Sequence, residues 1–341
     1  MEFKEVRELL EALCSANGTS GQENCAADTA EKMLAEFMPV SRDALGSVMG
    51  RKGEGKGIIL DAHIDQIGLV VTGINENGFI KVAKVGGADI RVLTAAQVTI
   101  HGKKDIFGVI TSVPPHLADE KDEGKALPFD KITIDAGMSK AELEEIVTPG
   151  DRITFNGPFD SLMGSRIVSP CVDDRAGVAA ILRCLQLLKG KNTCPIEVMF
   201  SCQEETGGSG AAAGSFSTLS DEAIATDVSF ASAPGVSKEK YRSLGDGALI
   251  GFAPSLDYEM SRKLTAIAKE RGIKAAPEIM GGSTGTNCDD IQIARGGIKT
   301  ALISIPIRNM HTAVEVADLS DIEETAKLMA AYIEERSKEY A

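Results

Sequence analysis

The sequence predicts an α/β fold, a mainly parallel, helix-covered sheet interrupted by a small β-rich insertion. Three observations carry this. Short continuous apolar runs at Ile58-Ile59-Leu60, Ile196–Cys202, Ala223–Thr226 and Thr300–Ile305 have the texture of strands buried on both faces. Stretches with helical apolar spacing, Val178–Leu188 and Ser261–Arg271, alternate with them, the order that yields parallel sheets with crossover helices. Between Gly68 and Leu162 this rhythm gives way to short β-branched segments broken by Asn75-Glu76-Asn77-Gly78, Gly86-Gly87, His101-Gly102-Lys103-Lys104 and Pro114-Pro115.

Taken in order, the chain opens with two predicted helices, Glu2–Leu13 and Glu23–Phe37, separated by the breaker-rich Asn17-Gly18-Thr19-Ser20-Gly21. The turn at Gly53–Gly57 leads into the first buried strand, which runs directly into Asp61-Ala62-His63-Ile64-Asp65. At 341 residues the chain exceeds the ~100–200 residues of a common domain. The expected division is a discontinuous domain of residues 1–67 and 163–341, with residues 68–162 as the inserted β-rich domain.

Composition excludes several classes. Hydrophobic residues make up 43% and charged residues 25%, the mixture of a globular chain with a sizeable core. With 36 Lys and Arg against 50 Asp and Glu, the formal charge of −14 repels polyanions, so no nucleic-acid partner is expected. The first residues lack a basic and then apolar leader, and no stretch reaches the ~20 apolar residues of a membrane span. Seven cysteines without a C-x-x-C pair argue against a disulfide framework or thiolate zinc site and for a reducing, cytoplasmic setting.

In open α/β sheets ligands bind at the carboxyl ends of strands. After Ile58–Leu60 come His63 and Asp65; after Ile196–Cys202, Glu204 and Glu205; after Ala223–Thr226, Asp227; and after Thr300–Ile305, a loop with His311. Asp173-Asp174 stands before the Val178 helix, where negative charge is favoured. Singly, each has a structural explanation as a capped turn or a hydrogen-bonded strand end. Collectively, carboxylates converging on one rim repel one another unless cations neutralise them. Two of the four histidines in the chain join them. Two imidazoles with three or more carboxylates suit divalent ions of the Zn, Co or Mn type, and a shared carboxylate can hold a pair ~3.5–4 Å apart. The adjacent Glu204 and Glu205 permit one ligand and one general base, and Asp65 lies within reach of the His63 ring.

These residues give the chain its resemblance to the tetrahedral (TET) dinuclear metallo-aminopeptidases, a family also known as glutamyl aminopeptidases and, for some members, as cellulases or endoglucanases. The resemblance runs nearly end to end, through Thr19-Ser20-Gly21, Asp43-Ala44-Leu45-Gly46, Ala62-His63-Ile64-Asp65-Gln66-Ile67-Gly68, Val85-Gly86-Gly87-Ala88-Asp89, Pro114-Pro115-His116, Asp173-Asp174-Arg175, Gln203-Glu204-Glu205 and Pro306-Ile307-Arg308-Asn309-Met310-His311-Thr312. It implies that Asp173 bridges two metals, with His63 and Asp227 completing one site and Glu205 and His311 the other. Glu204 would be the base, Asp65 the carboxylate behind His63, and the Asp173–Asp174 peptide cis. It further implies a zinc-peptidase-like sheet with a PDZ-like barrel, hydrolysis of N-terminal residues from peptide substrates, and dimers assembling into a homo-oligomeric dodecamer.

The chain departs from the family pattern at Gln66, Asn287, Asn309 and Ala313, positions that bear on specificity and metal affinity. Cys171 and Cys202, each close to a site acid, are expected to be packed, and His101 to be a turn residue. His116 is a candidate for lining a neighbouring subunit's site or for ordering its own loop. Gly281–Gly285 lacks the Lys of a phosphate loop and is expected to line the pocket. Competing activities are a two-metal amidohydrolase acting on N-acyl amino acids and a non-catalytic peptide-binding scaffold. A glycosidase would need two metal-free carboxylates, a poor match to this set.

Overall fold

The computed structural model describes residues 3–117, 125–189, 193–237 and 241–339. The chain begins with helices α1 (Lys4–Cys14) and α2 (Asn24–Leu34), then strands β1 (Val40–Arg42), β2 (Val48–Lys52) and β3 (Ile58–His63). β4 (Gly68–Ile74), β5 (Phe79–Val85), β6 (Gln97–His101), β7 (Asp105–Ile110), β8 (Thr133–Asp135), helix α3 (Lys140–Glu144) and β9 (Arg152–Phe155) follow. The remainder comprises β10 (Asp160–Ser161), β11 (Arg166–Ser169), α4 (Val172–Leu188), β12 (Ile196–Ser201), α5 (Ser209–Ser217), β13 (Glu222–Phe230), β14 (Ala248–Phe252), α6 (Tyr258–Arg271), β15 (Ala275–Ile279), α7 (Cys288–Ile291), β16 (Lys299–Arg308), β17 (Glu315–Asp318) and α8 (Leu319–Ser337).

Two sheets result. The larger has eleven strands, with β1-β2-β12-β3-β13-β16-β17-β11-β10 side by side and β14 and β15 branching from β16. Its centre, β12-β3-β13-β16, is parallel, and so is the β14–β15 pair. The expectation of a mainly parallel sheet stops there, because β2, β11, β17 and β14 join their neighbours antiparallel. The smaller sheet is a closed antiparallel barrel, β4-β5-β8-β7-β6-β9, formed within the stretch where sequence texture changes. Closure removes the unpaired edges that strands of this length would otherwise expose.

The apolar runs explain the centre. All six residues of β3 and all six of β12 are buried, because helices cover one face and the loops and helices around α5 and α7 cover the other. α4 is buried almost all round, against α1 and α8 on one side and β3 and β13 on the other. Local signals set the helix ends. Asp257 caps α6 through the Met260 N–H at 2.9 Å, and Gly272 ends it in the left-handed region at φ 65°. Asp318 caps α8 through the Ser320 N–H at 3.0 Å. The barrel has an apolar core of its own, including Leu69, Ile80, Val98, Ile100, Ile134 and Ile153.

Several elements differ from what the sequence predicts: α5, α7, β14, β15 and β17 are additional, and three others are informative. α4 starts at Val172, with helical dihedrals interrupted at Asp173 and Asp174; the Asp174 carboxylate then accepts the Gly177 N–H at 2.9 Å, capping the regular turns. β13 is nine residues long, so Asp227 lies inside it instead of beyond its end. Helix α8 was absent from the reading; buried residues occupy nearly its whole circumference, leaving no clear amphipathic stripe. Among the described residues no helix is long and apolar enough to cross a membrane.

Candidate active site

Strand ends bring the predicted residues together. His63 closes β3, Glu204 and Glu205 follow β12, Asp227 sits near the end of β13, and His311 follows β16. Asp173, on the non-helical first turn of α4, lies between the two histidines. One of its oxygens is 3.0 Å from His63 Nε2, and the other is 3.4 Å from His311 Nε2. His63 Nε2 is also 3.9 Å from Asp227 and 4.0 Å from Glu204, while His311 Nε2 is 3.5 Å from Glu205. Two triads follow, His63-Asp173-Asp227 and Asp173-Glu205-His311, in each of which one ligand atom per residue lies within 4.8 Å of the others. Asp173 belongs to both. The Asp173–Asp174 peptide is cis.

The electrostatics are those of acids crowded away from water. Burial pushes Glu204 upward, and burial together with the Asp173 charge pushes Glu205 up to about 8. Burial and neighbouring carboxylates likewise raise Asp227. Asp173 behaves oppositely: burial would raise it, yet the bonds from His311 and His63 hold it below the usual carboxylate range. The same bond, made to Asp173, raises His311 to about 9. A buried oxygen of Glu205 has no hydrogen-bond partner. Paired imidazoles, surplus carboxylate charge and a buried carboxylate oxygen left without a partner match the donor set of divalent cations.

Supporting contacts refine the reading of Asp65. Its carboxylate accepts the N–H groups of Glu204 at 3.0 Å and Glu205 at 3.1 Å, and lies 3.5 Å from His63 Nδ1. The closer partner of Nδ1 is the Asp65 backbone carbonyl, at 3.0 Å. Asp65 therefore holds the Glu-Glu loop at least as directly as it orients the imidazole. Glu315 is a site residue the sequence did not reveal: fully buried, it accepts the Asp173 N–H at 3.0 Å and the His311 N–H at 2.8 Å. Its place four residues after His311 was the available signal. The barrel also contributes. A Cβ on Gly87 would lie 2.4 Å from His311 Nδ1, so the imidazole seats directly on that backbone. Several residues here adopt left-handed backbone without being glycine, among them Cys171, Gln203 and His311, a clustering typical of functional sites.

The departures take definite places. Asn287 donates to buried Asp61 at 2.9 Å and to Ser201 at 2.7 Å, beneath the strand that carries His63. Gln66 faces the buried Arg175, 3.5 Å from its guanidinium, which also donates to the carbonyls of Leu13 and Ala16. Asn309 donates to the Val314 carbonyl at 3.2 Å. Cys171 and Cys202 are buried, the latter against Ser47 and Leu45. His101 bonds Asp105 and Thr154 within the barrel, and His116 is exposed. The cluster opens into a cavity of about 980 Å³, lined in part by Gly281, Ser283, Thr284 and Gly285, as expected of that loop.

Residues 46–328 match the M42 glutamyl aminopeptidase family. The lysyl aminopeptidase of Pyrococcus furiosus is 33% identical over 338 residues, covering 96% of each chain. Among solved structures, the aminopeptidase APDkam598 of the archaeon Desulfurococcus kamchatkensis superposes with TM-score 0.93 at 30% identity, covering 100% of this chain and 97% of that one. The TET1 peptidase of Pyrococcus horikoshii superposes with TM-score 0.85 at 31% identity, covering 96% and 99%. Fold and relatives together define an aminopeptidase, a hydrolase acting on peptide bonds. The chain belongs to the M42 glutamyl aminopeptidase family.

Proposed function

We propose that the chain removes N-terminal residues from peptides by two-metal hydrolysis, with His63, Asp173 and Asp227 holding one divalent cation and Asp173, Glu205 and His311 the other. The observation that carries this is Asp173, whose two oxygens each face a different histidine and so serve both triads. A pair of Zn, Co or Mn ions held there would make water nucleophilic near neutral pH and draw charge from the scissile carbonyl. Glu204, half-buried and raised by burial, takes the proton of the attacking water and returns it to the leaving amine. Asp65 fixes the backbone of that base, and Glu315 fixes Asp173 and His311. The cavity beside the cluster admits the substrate's first residue.

The supporting architecture is a zinc-peptidase-like domain, residues 1–67 and 163–341, carrying a PDZ-like barrel in residues 68–162. Separate apolar cores in barrel and large sheet support that division. The TET1 peptidase of P. horikoshii can assemble into a tetrahedron or a large octahedral shell, and a related structure is a dodecamer. This chain is proposed to form a closed homo-oligomer likewise. Its seven cysteines, all free, accord with the cytoplasm.

The test is hydrolysis of aminoacyl-p-nitroanilides and short peptides by protein stripped of metal and resupplied with Zn, Co or Mn. Metal-dependent, stepwise removal from free N-termini is expected. Glu204→Gln should lower kcat by roughly 10²–10⁴-fold while retaining metal. Intact unblocked peptides with cleavage of N-acyl amino acids would move the chain to the amidohydrolase reading; absence of bound metal would support the scaffold.

A further inference from the structure

The cavity beside the acidic cluster runs across the sheet toward β15, and its wall there carries a carboxylate with no part in the hydrolysis described above. Glu278, on β15, reaches back over its neighbours. Its oxygens accept the hydroxyls of Ser229, on β13, and Ser304, on β16, the latter at 2.8 Å. Both serines are buried and Glu278 is half-buried, so the carboxylate is anchored from below and faces the cavity. Among the described residues no Lys, Arg or His neutralises it.

Register places this group relative to the reaction. Ser304 pairs with Asp227, and Ser229 lies two residues beyond Asp227 on the same face of β13. One strand repeat, ~6.5–7 Å, therefore separates the Cα atoms of Asp227 and of the serine that anchors Glu278. Two divalent cations balance the four carboxylates Asp173, Glu204, Glu205 and Asp227; Glu278 remains as an uncompensated negative charge. Arg242 also borders the cavity, but it is solvent-exposed and its charge is screened. A carboxylate offers about four acceptor positions, of which the serines occupy two. The remainder suit an ammonium or guanidinium, and Leu249, Pro277 and Leu302 supply apolar wall for its aliphatic stem.

We infer that this wall receives the side chain of the substrate's first residue and that Glu278 selects a cationic one, lysine or arginine. The inference rests on the aminopeptidase reading above. Its test compares kcat/KM for the p-nitroanilides of lysine, arginine, leucine and glutamate on the metal-loaded wild type, Glu278→Gln and Glu278→Arg, with inhibition of the wild type by free L-lysine and L-leucine. Lysine and arginine should lead in the wild type, and L-lysine should inhibit more strongly. In Glu278→Gln the lysine-to-leucine ratio should fall roughly ten- to a hundredfold, the scale of one charge-assisted hydrogen bond, mainly through KM. Glu278→Arg should reverse the order of lysine and glutamate. A wild type that prefers leucine or glutamate overturns the inference, as does an unchanged ratio in Glu278→Gln. The wild-type comparisons stand even if a variant does not fold. Failure to cleave any free-amine substrate would instead defeat the aminopeptidase reading itself.

Discussion

At the scale of the residue, the proposed metal ligation sets protons and cations in competition for the same atoms. Glu205 is raised from 4.5 to about 8, and His311 from 6.5 to about 9. Both folded values exceed the unfolded ones. In metal-free protein their contribution to stability is therefore complete below about pH 4.5 for Glu205 and 6.5 for His311, and is lost as pH rises through 8 and 9. A binding cation must displace these protons. The melting temperature of stripped protein should fall between pH 5 and 9, while the stabilisation by added Zn or Co grows over the same range. Calorimetric titration in buffers of different ionisation enthalpy should register proton release near pH 7. Melting and affinity that both ignore pH would contradict this assignment of charge.

At the scale of the element, the barrel is a structural part of the site, because the turn after β5 lies against His311 and Glu205. A Cβ on Gly86 would come within 3.1 Å of a Glu205 oxygen, and one on Gly87 within 2.4 Å of the His311 ring. Gly87→Ala should displace the imidazole and weaken retention of the cation proposed to bind at His311 by roughly ten- to a hundredfold, read as metal content after dialysis. Gly73→Ala, on the same barrel where an added Cβ meets nothing within 4 Å, is the control. Equal metal retention by the two variants would remove the barrel from the site. The same element shows what sequence reading recovers. Gly86-Gly87 was legible as a break between strands, but its approach to His311, more than two hundred positions away, is a tertiary fact. Asp227 was found and misplaced by a strand boundary, since buried strands carry no polar alternation to mark where they end. α8 escaped because its burial on nearly every face erases helical periodicity.

At the scale of the whole molecule, large apolar side chains remain on the surface. Phe107 on β7 is 54% exposed, Leu117 71% and Met163 90%. Contacts between copies would remove such side chains from water, consistent with the proposed closed oligomer. Sedimentation should give a mass that is a multiple of the 35.9 kDa protomer. A stable monomer at micromolar concentration would exclude the assembly.

The sequence by itself determined the α/β class and pointed to the β-rich stretch and to the acids and histidines that the structure gathers, because buried strands and strand-end polar residues leave local, periodic traces. It also determined the family, through short motifs in fixed order along the chain. Tertiary structure decided the rest. It showed that Asp173 stands between two imidazoles, that Asp65 holds the Glu204-Glu205 backbone, and that Glu315 ties the backbone of Asp173 to that of His311. It also placed Glu278 against Ser229 and Ser304. Each depends on contacts between segments far apart in sequence. Such contacts follow from how strands cross and pack, so no local pattern of residues records them.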